Sequence, residues 1–173
     1  LDSQGAIYSE DQEKKSDQLV NNYMSECYNK LIHKSPDDYN RIISKVLTFS
    51  AWQNFYSLKY REALEKLNRL GNAGCAEEND YLLMAKIFRT IYNTEESNYE
   101  ALNFIKTAKK IGIVNLLDLS KEEGLLYLRL NDIPNAGIAL EEYKKGLESL
   151  PVVNDDDRNE LEWVKDVLYK IKN

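Results

Sequence analysis

Apolar residues recur at three- and four-residue spacing along most of the chain, the period of a helix that buries one face. No long run alternates polar with β-branched residues, so the pattern gives a strand nothing to rest on. The first stripe, Leu19, Val20, Tyr23, Met24, Cys27, Tyr28, Leu31 and Ile32, runs down one side of a helix of about five turns. Polar punctuation divides the remainder. Ser35 followed by Pro36, Asp37 and Asp38 combines a cap, a proline at the first helical position and carboxylates at the positive end of the helix dipole. Ser97 with Glu100 and Ser120 with Glu123 fit capping boxes, Asp132 precedes Pro134 at another entry, and stops fall near Gly71, Gly112 and Pro151. The pattern predicts about eight helices, at roughly 10–36, 36–56, 60–71, 78–92, 97–111, 120–131, 134–149 and 156–172. The expected fold is all-α, with antiparallel helices joined by short connections.

Comparing the helical pairs with one another reveals self-similarity. Gly124, Tyr127, Asn131, Ile133, Ala136, Leu140 and Tyr143 form one unit; Ala51, Leu58, Tyr60, Ala63, Leu67 and Leu70 form an earlier one. Ala85, Phe88, Ala101, Ile105 and Ala108 supply a middle one. Small residues at the crossings let paired helices approach closely, and large residues fill the gaps between them. In these positions the chain resembles the tetratricopeptide repeat family. Ala51 and Ala85 are 34 residues apart, the family's period, whereas Ala85 and Gly124 are 39 apart. The middle unit is therefore expected to carry a longer inner turn around Thr94 to Asn98 and extra residues around Gly112 to Leu117. The resemblance implies antiparallel helix pairs in a right-handed array, with repeat units at about 42–71, 78–112 and 120–151. An extra N-terminal helix and a capping helix at about 156–172 complete the expected single domain, 16–173, behind a flexible polar segment, 1–15.

Composition narrows the function. Asp and Glu number 29 against 23 Lys and Arg, and the resulting net charge of −6 repels phosphate backbones at long range. Nucleic acid is not an expected partner. No apolar run approaches the ~20 residues a spanning helix needs, so the chain as given reads as soluble, without membrane insertion. The chain begins at Leu1, and its polar opening resembles a tether left after removal of a signal or lipid anchor, in an exported or periplasmic protein. A truncated cytoplasmic chain would look the same. Cys27 lies in an apolar helical pattern and Cys75 in a turn, which reads as a buried thiol and an incidental one, with a disulfide left open.

The single histidine, His33, has no second ligand at a metal spacing, and Asn154-Asp155-Asp156-Asp157 lacks the glycine and glutamate of a calcium loop. That acidic run reads as a helix cap. The adjacent pairs Glu122-Glu123 and Glu141-Glu142 cannot share one helix face. No nucleophile, phosphate loop or general-base arrangement is apparent, so no enzyme activity, cofactor or metal is expected.

The resemblance implies instead a protein or peptide partner held in the concave groove lined by the first helix of each pair. Carried over position by position, the groove residues are Trp52, Phe55, Tyr56, Lys86, Arg89, Leu125, Leu128 and Arg129. Aromatic anchors beside basic residues are typical of peptide-binding hot spots. Equally, Trp52 and Phe55 could pack on the first helix. The clamp by which some family members grip a C-terminal carboxylate is not matched, because its positions hold Thr48, Trp52, Leu83, Asp118 and Glu122. Self-association through the first helix or the Trp163-bearing last helix, giving a homo-oligomer, is the alternative.

Overall fold

The computed structural model describes residues 18, 22–23, 36–112, 116–152 and 154–172. The helix expected at 10–36 and its stripe, Ser35, Cys27 and His33 lie outside the described residues, except that Gln18, Asn22 and Tyr23 are helical. Among the described residues every regular element is a helix: α1 Pro36–Tyr56, α2 Tyr60–Asn72, α3 Glu78–Ile91, α4 Glu95–Ile111, α5 Leu116–Arg129, α6 Ile133–Glu148 and α7 Asp155–Lys172. The chain divides into two compact units, 1–76 and 77–173.

In the first unit α2 folds back on α1 over Leu47, Ala51, Ala63, Leu67 and Leu70, all buried. In the second, α4 packs on α3 and α6 on α5, α5 touches both α3 and α4, and α7 packs on α6. Its core has two parts. Leu82, Ala85, Ala101, Ile105, Leu119 and Leu126 centre the first, with Phe88 and Phe104 against it. Leu140, Tyr143, Leu147, Val164 and Leu168 form the second, with Leu117, Leu128 and Trp163 around it. The small residues sit where helices cross: Ala51, Ala63, Ala85, Ala101, Ala108 and Ala136 are fully buried. A Cβ on Gly124 would lie 2.6 Å from Leu140 Cδ2, so α5 and α6 approach more closely there than alanine allows.

The turns within the first and last pairs are copies of each other. Leu58 (φ 61) and Asn131 (φ 55), each seven residues after the small residue of its first helix, both take the left-handed conformation. Each is followed by a residue of nearly identical geometry, Lys59 (φ −89, ψ 65) and Asp132 (φ −88, ψ 74). The hydrogen bonds match as well. Leu58 N–H donates to Phe55 O and Lys59 N–H to Asn54 O, as Asn131 N–H does to Leu128 O and Asp132 N–H to Tyr127 O.

Three of the boundaries that differ from those expected have a cause in the caps and the packing. α4 starts at Glu95 rather than 97 because Thr94, not Ser97, is the cap: Ser97 N–H donates to Thr94 Oγ1 and Thr94 N–H to Ser97 Oγ. The longer inner turn expected around Thr94 to Asn98 is thus a turn of helix, and Tyr92–Thr94 is no longer than the connections at 57–59 and 130–132; of the extra residues expected around Gly112 to Leu117, 113–115 lie outside the described residues. α5 starts at Leu116, a turn ahead of Ser120, because Leu117 and Leu119 have core to pack against. Ser120 is consequently mid-helix and donates to Glu142 Oε2 at 2.7 Å. Gly71 stays within α2; the left-handed residue that closes it is Gly74 (φ 66), with Cys75 N–H donating to Leu70 O.

Candidate functional site

The last turns of α1 carry a linked group of rings. Trp52 meets Phe55 edge-on with centroids 6.1 Å apart and Tyr56 at 5.8 Å; Phe55 lies 5.6 Å from both Tyr56 and Tyr60. Trp52 and Phe55 are half-buried, whereas Tyr56 is 74% exposed. Helical spacing places Phe49 on the side of α1 that bears Trp52 and Tyr56, three and seven residues on, and Phe49 is 61% exposed. Leu58, in its left-handed turn, is 71% exposed. Sequence reasoning missed Phe49 as a member of this face. The i, i+3, i+7 spacing of 49, 52 and 56 was the available signal for Phe49. From Asn40 to Arg61 the chain holds Arg41, Lys45, Lys59 and Arg61 and no acidic residue.

The other expected groove residues lie in the second unit, on α3 and α5. Arg89 makes a two-pronged pair with Glu122, Nε to Oε2 at 2.6 Å and an Nη to Oε1 at 3.1 Å, and Glu122 is buried. Lys86 Nζ stands 3.6 Å from Asp118 Oδ2. An Nη of Arg129 donates to the Arg89 carbonyl. The three basic side chains are thus brought together, and their charges and donors tie α5 to α3. Leu125 is half-buried, and Leu128 packs against the core between α6 and α7.

Two further clusters fasten the second unit. Lys109 Nζ reaches Glu123 at 2.6 Å and Glu142 at 3.3 Å, joining α4 to α5 and α6. Burial opposes its charge, but these carboxylates outweigh burial and hold its pKa above the ordinary lysine value. The hydrogen bond from Ser120 keeps the Glu142 carboxyl below its usual range, against burial and with help from Lys109. Lys121 Nζ contacts Glu160 at 2.7 Å and lies 5.7 Å from the ring centres of Tyr143 and Trp163. Tyr143 donates its hydroxyl to Glu160 at 2.8 Å. Burial, reinforced by that carboxylate, pushes the Tyr143 phenol far up. Burial raises Glu160 too, but the hydrogen bonds from Lys121 and Tyr143 together bring it below the normal value.

Asn154 and Asp157 cap α7 reciprocally, each side chain accepting from the other's backbone N–H. Among the described residues no three His, Cys, Asp or Glu stand together as a metal site. Glu141 pairs with Lys144 and Lys172, while its neighbour Glu142 meets Ser120 and Lys109. Cys75 is a half-buried free thiol. Ile133, Pro134, Gly137, Ile138 and Ile171 line an open cleft of about 770 Å³ between α6 and α7. No described helix is long and apolar enough to cross a membrane. No protein-family model, curated protein or solved structure matches this chain.

Proposed function

We propose that this chain is a non-enzymatic binding module built from tetratricopeptide-like helix pairs, and that it holds a protein or peptide partner. The observation that carries the reading is the ring cluster on α1, where Tyr56 presents most of its surface to solvent beside Trp52, with the likewise exposed Phe49 one turn before Trp52 on the same side of the helix. Exposed aromatic groups clustered on a rigid helix mark interaction sites more often than isolated surface apolar residues do. The repeat character is supported by the buried small residues at the helix crossings and by the matching turns at Leu58 and Asn131. On α3 and α5, Lys86, Arg89 and Lys121 are engaged in ion pairs and Arg129 donates to a backbone carbonyl, so the partner's main hold is assigned to α1.

The test is affinity capture with immobilised wild-type chain beside a Phe49→Ala/Tyr56→Ala variant, both shown by circular dichroism to fold alike. Both side chains are exposed, so the variant is expected to keep its helices and lose the captured partner. Retention of the same partner by the variant moves the interface elsewhere. A second reading, self-association, is favoured by the apolar cleft between α6 and α7, where Ile138 is 70% exposed. Sedimentation velocity separates the two, since only self-association makes size depend on concentration.

A further inference from the structure

The face that carries the proposed function also bears a charge of its own. The stretch Asn40–Arg61 has four basic residues and no acidic one, within a chain whose net charge is −6; Arg41 and Lys59 already have partners in the chain, so Lys45 and Arg61 are the two that face a ligand. Lys45 is exposed one turn before Phe49, and Arg61 is exposed just beyond Leu58, so positive charge brackets the apolar surface. An acidic segment is repelled by the chain's overall field yet attracted within a Debye length of this face. A basic segment is drawn instead to the acidic remainder, such as the exposed Glu95, Glu96 and Glu100. The apolar side chains supply what charge alone lacks, a place to bury one or two anchors.

We infer that the partner of α1 is an acidic linear segment of another protein, carrying aliphatic or aromatic anchors that dock on Phe49, Trp52 and Tyr56 while its carboxylates meet Lys45 and Arg61. This rests on the binding-module reading and names the chemistry of its partner. Lys45 to Tyr56 spans eleven residues of helix, about 16 Å, the reach of about five extended residues. The acidic and anchoring positions of the segment are therefore separated by about two to five residues. No free C-terminal carboxylate is required, because the basic groups flank the apolar face rather than closing on a single point.

The experiment is a selection of random 12-residue segments, displayed with both ends joined to a carrier, on the full chain and on two variants, Phe49→Ala/Tyr56→Ala and Lys45→Glu. A representative enriched segment is then labelled and its affinity measured by fluorescence anisotropy at low and high salt. The expected result is enrichment of segments that pair Asp or Glu with Leu, Ile or an aromatic residue. Lys45→Glu should weaken binding roughly tenfold, with a smaller loss at high salt, and Phe49→Ala/Tyr56→Ala should abolish it. Enriched segments that are neutral or basic, yet still lost on Phe49→Ala/Tyr56→Ala, overturn the acidic partner and leave the binding module standing. No enrichment, or segments held equally by that variant, overturns both. Phosphatidylserine vesicles and an oligothymidylate serve as parallel probes, and binding of either through Lys45 and Phe49 without any selected peptide also overturns the inference.

Discussion

At the scale of single residues, three glycines inside helices separate the two effects of adding a methyl group. Gly124 and Gly137 lie in helix interiors and Gly146 in the last turn of α6, where alanine in place of glycine gains up to about 1 kcal/mol of helix propensity. What differs is the space. A Cβ at Gly137 would stand 3.7 Å from Ile171 Cδ1, an ordinary contact, so Gly137→Ala should stabilise the fold by about 0.5–1 kcal/mol. At Gly146 the obstacle is the half-buried end of Leu117, at 2.6 Å, which can turn aside; the gain and the strain should nearly cancel. At Gly124 the methyl would meet both Cδ2 and Cγ of Leu140, 2.6 and 2.7 Å away, and Leu140 is fully buried. Overpacking of about 1–3 kcal/mol then exceeds the propensity gain, so Gly124→Ala should be the one destabilising change of the three. Urea denaturation of the three variants checks the order; equal effects would mean that α5 and α6 do not cross as closely as described.

At the scale of elements, a few charge pairs tie helix to helix. Arg89→Ala leaves the Glu122 carboxylate buried between α3 and α5 without its bidentate partner, at a cost of roughly 3 kcal/mol. The double change Arg89→Met/Glu122→Leu removes both charges and should recover most of that stability, measured by the same denaturation. The pH response follows from the other ties. Glu142 and Glu160 have folded pKa values below the unfolded ones, so near pH 4 the unfolded chain binds more protons and stability rises with pH. Their contribution is present at neutral pH and is lost as pH falls through the folded values. Tyr143 behaves oppositely: its raised folded pKa makes the folded chain the better proton binder above about pH 10, so stability falls as pH rises there. Thermal midpoints should decline on both limbs, with Glu160→Gln flattening the acid limb and Tyr143→Phe the alkaline one. Among the described residues the helices and their period were legible in the sequence because the apolar stripes are long, whereas two starts were not. Thr94-x-x-Ser97 and Ser97-x-x-Glu100 are rival capping frames, and only the packing around Leu117 and Leu119 carries α5 past Ser120. Nor could the sequence disclose that Arg89 is held by Glu122, 33 residues away, since a pairing across helices depends on their crossing. Exposure at Phe49 is hidden for a like reason: spacing assigns a side chain to a face, and only the neighbours decide whether that face is covered.

At the scale of the whole molecule, contacts run chiefly between helices adjacent in the chain, and α7 lies at one end of that order, packed on α6. In such a chain of nearest neighbours, a defect loosens its own element first and fades with distance. Leu168 is buried in the core shared by α6 and α7, and Leu168→Ala removes apolar surface worth about 2–5 kcal/mol there. Lys121 and Glu160 still bridge α5 to α7, so the loss should pass partly to α5 as well. Hydrogen exchange on the variant should therefore accelerate most in α7, next in α6, less in α5 and hardly in α3 and α4. That gradient belongs to the second unit alone and would mark it as an array of stacked helix pairs. A single core would respond differently, its five helices losing protection together and by similar amounts. The consequence for function is separate: α1 belongs to the other unit, so the strength with which it holds a partner should be insensitive to Leu168→Ala. A variant chain that bound its partner more weakly in proportion to the loss of protection in α7 would show that the two units do not unfold independently.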